Sequence, residues 1–339
     1  MKDVADAAGV AQSTVSRILN DAAVLIPVSE ETRRRVRAIA AELGYQPHPF
    51  ARALRGAPSM LLGAVVRDIT DPFFAGAIET LSIQAKARGY SVVLGHAQST
   101  ADEALALTAV LEARQCDALV LLGDLRDEPK LVEDLQKSPV RVVALWHGAQ
   151  QWGQGFPTVT VDNRAGVRAA LRHLTNLGHS RIAFVGGDSH GDIRERQAAY
   201  EEYLAARGIQ PREAFIRHVP NGISGGERAV ADLLALEPRP TAIMAATDIL
   251  AMGIIHAAYE RDVSVPRDLS IVGFDDIPIA AATVPSLTTV KMPTEKIVAA
   301  GVDLAVGEHA ADSAKTEQFV FKPKLIVRRS TAAVPAADA

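Results

Sequence analysis

The sequence contains a single cysteine among its 339 residues, and only 5% of its residues are aromatic. An intrachain disulfide is therefore excluded, which suits a reducing compartment. Cys116 lies in an apolar, strand-like run, and we interpret it as a buried core thiol. No apolar run comes close to the length of about 20 residues that a transmembrane helix needs. The sequence also lacks a positively charged start followed by an apolar stretch, the pattern of an export signal. We therefore expect a cytoplasmic protein with no membrane partner.

Signals for metal, cofactor or covalent chemistry are also scarce. The nine histidines show no i,i+4 pairs and no neighbouring cysteine, so we predict no metal site. Neither a P-loop nor a dinucleotide fingerprint is present, and we predict no cofactor. The stretch GISGG at 222–226 matches the G-x-S-x-G pattern, but that pattern needs a strand running directly into the serine turn. Ser224 follows a Val-Pro-Asn loop instead, so a hydrolase that uses Ser224 stays a remote alternative.

Charge divides the chain into two unequal parts. Residues 1–56 carry eight Lys or Arg and six Asp or Glu, a net charge of +2, whereas the remainder carries −6. The chain is also longer than one ordinary core, and 48% of its residues are hydrophobic. A small basic head on an acidic body indicates that only the head meets a polyanion.

The first segment, KDVADAAGVAQSTVSRILND, has helical spacing on both sides of Gly9. Val4, Ala5 and Ala8 form one apolar stripe. A second helix is predicted over 12–20, with an apolar side and an opposite side of hydrogen-bonding groups at about 100° per residue. The apolar side consists of Val15, Ile18 and Leu19, and the polar side of Gln12, Ser13, Ser16, Arg17 and Asn20.

A third helix is predicted to begin after Ser29, a good N-cap, and to stop at Gly44. Its apolar side consists of Val36, Ile39, Ala40 and Leu43. Helix, short glycine turn, helix and a bracing helix make a helix-turn-helix arrangement, whose second helix enters the major groove of DNA. The alternative is a small three-helix bundle for protein contact, but the polar face lacks the aromatic residues and methionine that such interfaces favour.

A short basic segment follows the head. Residues 50–55 have helical composition, but prolines precede them, Gly56 and Pro58 follow, and isolated helices this short are marginal in water. This segment should therefore not hold itself together as a helix, and its large aliphatic residue, Leu54, has no obvious core to enter.

The body alternates apolar runs with helical segments, from LLGAVVRDI near residue 61 to LSIVGFDD near residue 269. These runs are nearly continuous in Val, Ile, Leu and Ala, as strands buried on both faces should be. The predicted fold class is α/β: a three-helix helix-turn-helix head, followed by a body of two doubly wound parallel α/β subdomains.

Polar residues stand at the carboxyl ends of the predicted strands, where open parallel sheets bind ligands. Carboxylates beside aromatic rings suit a neutral polyhydroxylated molecule. Asp71 precedes Pro72 and is the expected N-cap of a helix. The full set is Asp71, His96, Asp124, Trp146-His147, Asp162-Asn163, Asp188, Thr247-Asp248 and Asp275-Asp276.

Head, hinge and body in this order resemble the LacI/GalR family of bacterial transcriptional regulators. The likeness extends to about Thr331 and rests on several stretches. They are KDVADAAGVAQSTVSRILN, VSEETRRRV, ELGYQPHPFARAL, DPFF, LGHSRIAFVGG, ATDILAMG, VGFDD, PSLTTV and KLIVRRST.

The resemblance implies roles for individual residues. Gln12, Ser13 and Arg17 would read the major groove, with supporting or backbone contacts from Thr14, Ser16, Asn20, Ser29 and Tyr45, and Leu54 in the minor groove. The implied effector contacts are Phe73 or Phe74, Arg196, Asp248 and Asp275. Trp146 is added as a candidate because Trp146-His147 occupies a strand end that often carries Asp-Arg in the family.

The resemblance also implies an organisation and a function. The expected domains are a DNA-binding head at 1–46, a hinge at 47–58, and an effector-binding and dimerisation body at 59–339. Within the body, subdomain one is expected at about 59–157 and 290–315, and subdomain two at about 158–289 and 316–331. The resemblance implies a hinge helix and two subdomains of periplasmic-binding-protein type. We expect a repressor that binds double-stranded, near-palindromic operator DNA as a homodimer and responds to a small effector, a sugar or sugar derivative. A solute-binding protein without a DNA role is the chief alternative.

Overall fold

The computed structural model describes residues 1–19, 28–45, 58–97, 100–113, 115–124, 129–146, 155–187, 190–307 and 317–334. The chain divides into two compact units, Met1–Leu61 and Leu62–Ala339. The predictions for Asn20, for Leu54 and for the hinge helix fall outside the described residues.

Among its described residues, the first unit has three helices: α1 (Lys2–Ala8), α2 (Gln12–Leu19) and α3 (Glu30–Glu42). Helix α1 ends at Gly9, whose φ of 63° is the left-handed conformation that glycine adopts without steric cost. Helix α3 begins where the Ser29 hydroxyl accepts a hydrogen bond from the Thr32 N–H. The three helices share one small core, which consists of Val4, Ala5, Ala8, Val15, Ile18, Val36 and Ala40.

Two side chains of the head differ from the expected pattern. Ser16, predicted on the exposed side of α2, is only 8% exposed. At about 100° per residue it lies close to Leu19, at the border between the polar and apolar sides of α2. Leu43, predicted on the apolar side of α3, is 52% exposed. It is the C-cap of α3, so the helical period no longer fixes its direction.

The second unit is α/β and contains two six-stranded sheets. The first sheet has the order β11-β5-β4-β3-β1-β2, and the second has the order β12-β10-β9-β8-β6-β7. The first consists of β1 (Leu61–Val66), β2 (Ser91–His96), β3 (Ala118–Leu122), β4 (Arg141–Leu145), β5 (Thr158–Val161) and β11 (Gln318–Phe321). The second consists of β6 (Ile182–Gly186), β7 (Ile216–His218), β8 (Ala242–Ala245), β9 (Ser270–Asp275), β10 (Thr288–Lys291) and β12 (Lys324–Ile326).

Helices cover both sheets, so each sheet with its helices forms one subdomain. The second sheet is parallel except for β12, which runs antiparallel to β10. The helices of the first subdomain are α4 (Pro72–Ala87), α5 (Ala101–Ala113), α6 (Pro129–Gln136) and α11 (Thr294–Val306). Those of the second are α7 (Asn163–Asn176), α8 (Gly191–Ala205), α9 (Ile223–Leu234) and α10 (Asp248–Tyr259).

The strand pairing corrects the expected subdomain boundaries by a few residues. β5 pairs with β4 and β11, so the first subdomain continues through Val161 rather than ending at 157. β10 pairs with β9, so the second continues through Lys291 rather than 289. β11 belongs to the first sheet, although 316–331 was assigned to the second subdomain. Local composition cannot show such boundaries, because they depend on pairing between distant strands.

Predictions about single residues of the body are confirmed at two points. Asp71 is the N-cap of α4, with Oδ1 accepting a hydrogen bond from the Phe73 N–H at 3.0 Å. Cys116 is buried, at 2% exposed. β2 differs from the expected strand buried on both faces, since it lies at a sheet edge and Leu94 is 48% exposed.

Candidate functional site

The exposed side of α2 is the first candidate site. Gln12, Ser13 and Arg17 are exposed on it, and Thr14 is half-buried. Val15 and Ile18 on the opposite side are fully buried in the head's core. An amide, a hydroxyl and a guanidinium on a fixed helix present the donors and acceptors that match base edges in the major groove.

Three other predicted DNA contacts have structural partners in the head. The Ser29 hydroxyl caps α3 and lies 2.9 Å from the Thr32 hydroxyl. Tyr45 is half-buried and packs against the head's core. Ser16 is buried, which leaves its side chain less available than those of Gln12 and Arg17.

The second candidate site lies in the body, around Arg196 of α8. Its guanidinium is 2% exposed and donates from Nε to Asn163 Oδ1 at 2.9 Å and from Nη1 to the Ala246 carbonyl at 2.6 Å. Asp275, at the carboxyl end of β9, lies 3.6 Å from Nη1. The structure therefore brings two of the predicted effector residues, Arg196 and Asp275, into direct contact.

A second buried arginine extends this network into the first subdomain. Arg67, directly after β1, pairs through Nη1 with Asp192 of α8 at 3.3 Å, and Asp192 lies 3.8 Å from Arg196 Nη2. Burial alone would raise the pKa of Asp192, but Arg67 and Arg196 together hold it below its ordinary value. One carboxylate is thus shared by two guanidinium groups from opposite subdomains.

Asp275 has an unusual backbone and an unusual environment. Its φ of 120° lies in a region that L-residues rarely adopt, and such strain concentrates at functional sites. Burial raises the pKa of the Asp275 carboxyl well above its usual range, although Arg196 opposes this shift. A ligand hydroxyl donating to this carboxyl would replace solvation that burial has removed.

The neighbouring Asp276 is held by other groups. Its carboxylate pairs with Arg328 Nη2 at 2.6 Å and lies 3.7 Å from Lys291 Nζ. Of the two adjacent aspartates, Asp275 is therefore the one that faces the Arg196 network.

The structure distinguishes between the two candidate phenylalanines. Phe74 is 1% exposed and packs in the core, where Arg67 lies 4.9 Å from its ring centre. Phe73 is half-buried and meets the edge of Trp146, with ring centroids 5.1 Å apart. Trp146 is 3% exposed, and its indole Nε1 has no hydrogen-bond partner among the described residues. Phe73 and Trp146 therefore form an aromatic wall with one unused donor.

A cavity of about 400 Å³ adjoins Phe73 and Asp275. Its volume lies in the range of small-molecule sites in proteins, which is about 300–1,000 Å³. Its walls come from the start of α4, the segment after β9 and the connection from β10 to α11. The lining residues include Phe73, Asp275, Ile277, Met292, Pro293 and Thr294.

Asp248, another predicted effector residue, lies inside the second subdomain. Its side chain is fully buried, Oδ2 accepts from the Ile277 N–H at 3.0 Å, and Oδ1 accepts from the Thr289 hydroxyl at 2.5 Å. Burial raises the pKa of Asp248 to about 7. Both oxygens already have protein partners, so the geometry gives Asp248 a structural role.

Sequence reasoning missed three members of the network: Arg67, Asn163 and Asp192. Asp192 stands four residues before Arg196 on α8, a spacing that favours an ion pair and could have been noticed. Asn163 was named only as part of a strand end. Arg67 gave no signal, because its partner is distant in sequence.

Ser224 is exposed at the start of α9, with no strand leading into it. In the described ranges, no group of three or more His, Cys, Asp or Glu side chains could hold a metal ion. No helix among the residues that the structure covers has the length and apolar character to cross a membrane.

Comparison with known proteins relates both units to one group. The profile of "Bacterial regulatory proteins, lacI family" matches residues 1–48, and that of "Periplasmic binding protein-like domain" matches residues 171–331. The HTH-type transcriptional regulator GalS of Salmonella typhimurium is 33% identical over 334 residues, which cover 98% of this chain and 96% of GalS.

Solved structures agree with these matches. The lac repressor dimer bound to operator and the anti-inducer ONPF has a TM-score of 0.88 and 28% identity, covering 98% of each chain. The complex of the transcriptional regulator CelR with cellobiose has a TM-score of 0.73 and 28% identity, covering 96% of this chain and 98% of CelR.

Proposed function

The chain belongs to the LacI family of bacterial regulatory proteins, and from this premise we propose that it is a repressor that binds a near-palindromic operator as a homodimer. We further propose that a carbohydrate effector in the cleft of the body modulates operator affinity. Its relatives regulate transcription, so the chain is a DNA-binding regulator rather than an enzyme. Operator binding would place it in the cytoplasm.

The observation that carries the DNA-binding proposal is the exposed polar side of α2. Gln12 and Arg17 project from a helix whose other side is locked into the head's core. A guanidinium pairs with guanine and an amide with adenine in the major groove. A homodimer presents two such helices, and its two-fold symmetry calls for a near-palindromic site.

The chemistry of the cleft supports a carbohydrate effector. Asp275 supplies an acceptor at the wall of the cavity, and Arg196, 3.6 Å away, holds that carboxyl in place for a ligand hydroxyl. Phe73 offers a ring face beside the cavity, and Trp146 adds a buried donor. CelR, a similar protein, was solved with cellobiose.

A mobility-shift assay on the region upstream of the chain's own gene tests the DNA-binding proposal. Arg17→Ala should weaken specific binding by about 1–3 kcal/mol and relax the preference at one base pair. The matched control is Arg34→Ala, which removes the same charge from an exposed position of α3. If both variants weakened the binding of every DNA sequence to the same extent, Arg17 would contact a phosphate rather than a base. No retarded complex with any fragment would favour a solute-binding protein.

Thermal-shift screening of neutral sugars, sugar phosphates and nucleosides tests the effector proposal. A ligand at 100 times its dissociation constant stabilises the folded state by about 2.7 kcal/mol. Asp275→Asn should remove this shift and the effector response while leaving operator binding intact. If a carbohydrate stabilises the wild type and Asp275→Asn equally, its binding site does not include Asp275.

A further inference from the structure

Asn221 joins the two subdomains by hydrogen bonds from both ends of its amide. Nδ2 donates to Asp71 Oδ2, in the first subdomain, at 2.9 Å. Oδ1 accepts from the Thr247 hydroxyl, in the second subdomain, at 2.7 Å. Asp71 is 7% exposed and Thr247 is 3% exposed, whereas Asn221 itself is exposed. An amide at the rim of the cleft therefore bridges two buried groups.

Both partners of Asn221 are helix N-caps. Asp71 uses its other carboxylate oxygen to cap α4, and the Thr247 hydroxyl accepts from the Leu250 N–H to cap α10. The bridge thus ties the start of α4 to the start of α10 across the cleft. Its direction is fixed, because a carboxylate only accepts and the Thr247 hydroxyl donates its one proton to Asn221.

The GISGG stretch explains how Asn221 is held in this place. A Cβ at Gly226 would come within 2.2 Å of the Leu250 carbonyl oxygen, and one at Gly253 within 2.1 Å of the Ile223 carbonyl oxygen. These glycines therefore let α9 and α10 approach closely. Gly222, with a φ of 146°, turns the chain between Asn221 and α9. The G-x-S-x-G pattern is a helix-packing feature that sets Asn221 beside Thr247.

Further polar contacts between described residues also cross the cleft. Arg67 pairs with Asp192, and the Gly191 N–H donates to Asp124 Oδ2 at 2.6 Å. Gly191 begins α8, and the first amides of a helix have no partner within it. The hydrogen exchange of the Gly191 amide therefore depends on whether the second subdomain lies against Asp124.

We propose that Asn221 is a positioning residue that clasps the two subdomains and sets how far the effector cleft opens. This inference rests on the proposed function, since the clasp regulates the same cleft. Solvent competes for an exposed amide, so the clasp is reversible and a bound ligand can shift it by a modest interaction free energy. The clasp acts on α4 through its N-cap, Asp71. Phe73 of the aromatic wall lies in the first turn of the same helix.

Hydrogen–deuterium exchange of the full chain, without effector or DNA, tests the clasp. The measured quantity is protection of the first amides of α8, from peptides that span residues 186–197, at about pH 8, where an added carboxylate is ionised. Asn221→Ala should lower this protection by about three- to tenfold, because one bridging hydrogen-bond donor and acceptor are lost. Asn221→Asp should lower it further, because two carboxylates then face each other.

Asn176→Asp is the matched control, since Asn176 is exposed at the end of α7 in the same subdomain and the exchange of α8 should stay at the wild-type rate. Thermal unfolding shows that each variant is folded. A merely local role for Asn221 would leave the α8 amides unchanged in both variants, and that result would overturn the clasp. Because no effector or operator is present, this result leaves the proposed function untouched.

Discussion

The guanidinium of Arg196 lies 3.8 Å from the centre of the Phe274 ring. Phe274 precedes Asp275 on β9, so the same strand supplies a ring face and a carboxylate to one arginine. A planar guanidinium can stack and donate at the same time, which an ammonium group cannot do.

Arg196→Lys should therefore destabilise the body although it keeps the charge. We expect a loss of about 2 kcal/mol from the stacking and from the bonds to Asn163 and Ala246. Arg196→Ala should cost about 3–5 kcal/mol, because it also leaves the buried Asp275 carboxyl without its arginine partner. Urea unfolding measures both. Arg228→Lys, at an exposed site of α9, should stay within about 0.5 kcal/mol of wild type. Equal stability of Arg196→Lys and wild type would show that only the charge matters.

Asp248 should make stability depend on pH. Burial raises the folded-state pKa of Asp248 to about 7, above the ordinary value of a carboxyl, so the folded state holds a proton that the unfolded state has released. This contribution is fully present below about pH 4, decreases as pH rises, and is lost above about pH 7. Asp248→Asn should consequently gain stability relative to wild type, on the order of a few kcal/mol, between these limits.

Urea unfolding at several pH values measures that difference. Asp262→Asn changes the same group at an exposed position after α10. Its free energy of unfolding should vary with pH as that of the wild type does. If Asp248→Asn shows the wild-type slope as well, Asp248 titrates normally in the folded state.

Gly226→Ala should destabilise the packing of α9 on α10. The added Cβ would meet the Leu250 carbonyl, a backbone atom that cannot rotate away, and overpacking costs about 1–3 kcal/mol or more. Ser224→Ala, two residues earlier on an exposed side of the helix, should leave the free energy of unfolding within about 0.5 kcal/mol. Thermal unfolding compares the two. If Ser224→Ala lost more unfolding free energy than Gly226→Ala, the serine rather than the glycine would be the important residue of this pattern.

The two adjacent phenylalanines should separate stability from ligand binding. Phe74→Ala removes a buried ring and should cost about 3–5 kcal/mol of stability. Phe73→Ala removes a half-buried ring and should cost clearly less, while weakening any ligand found in the thermal-shift screen. Chemical unfolding and calorimetric titration check the pair. Similar losses of stability would place both rings in the core.

Elements with a strong local signal could be predicted from the sequence. Continuous apolar runs predicted the buried parallel strands, and Ser29 and Asp71 marked helix starts by their capping chemistry. The resemblance named Arg196 and Asp275 as effector contacts, and this role stays a prediction; in the structure the two side chains lie 3.6 Å apart.

Features that depend on distant neighbours could not be predicted. Ser16 is only 8% exposed, and the period of a single helix does not show which residues at the border of its polar side are buried. At the end of β8, Thr247 and Asp248 are adjacent, and only the packed structure shows that Thr247 meets Asn221 while Asp248 is enclosed. The same holds for Arg67, whose partner Asp192 is 125 positions away.

The strand order of the first sheet has a consequence for synthesis on the ribosome. β11, which pairs with the outer edge of β5, is translated only after the whole second sheet except β12. At about 5–20 residues per second, β5 waits roughly 10–30 s with an unpaired edge. An open strand edge invites pairing with other chains. The nascent polypeptide therefore passes through a period of vulnerability to aggregation, during which we expect it to depend on chaperones.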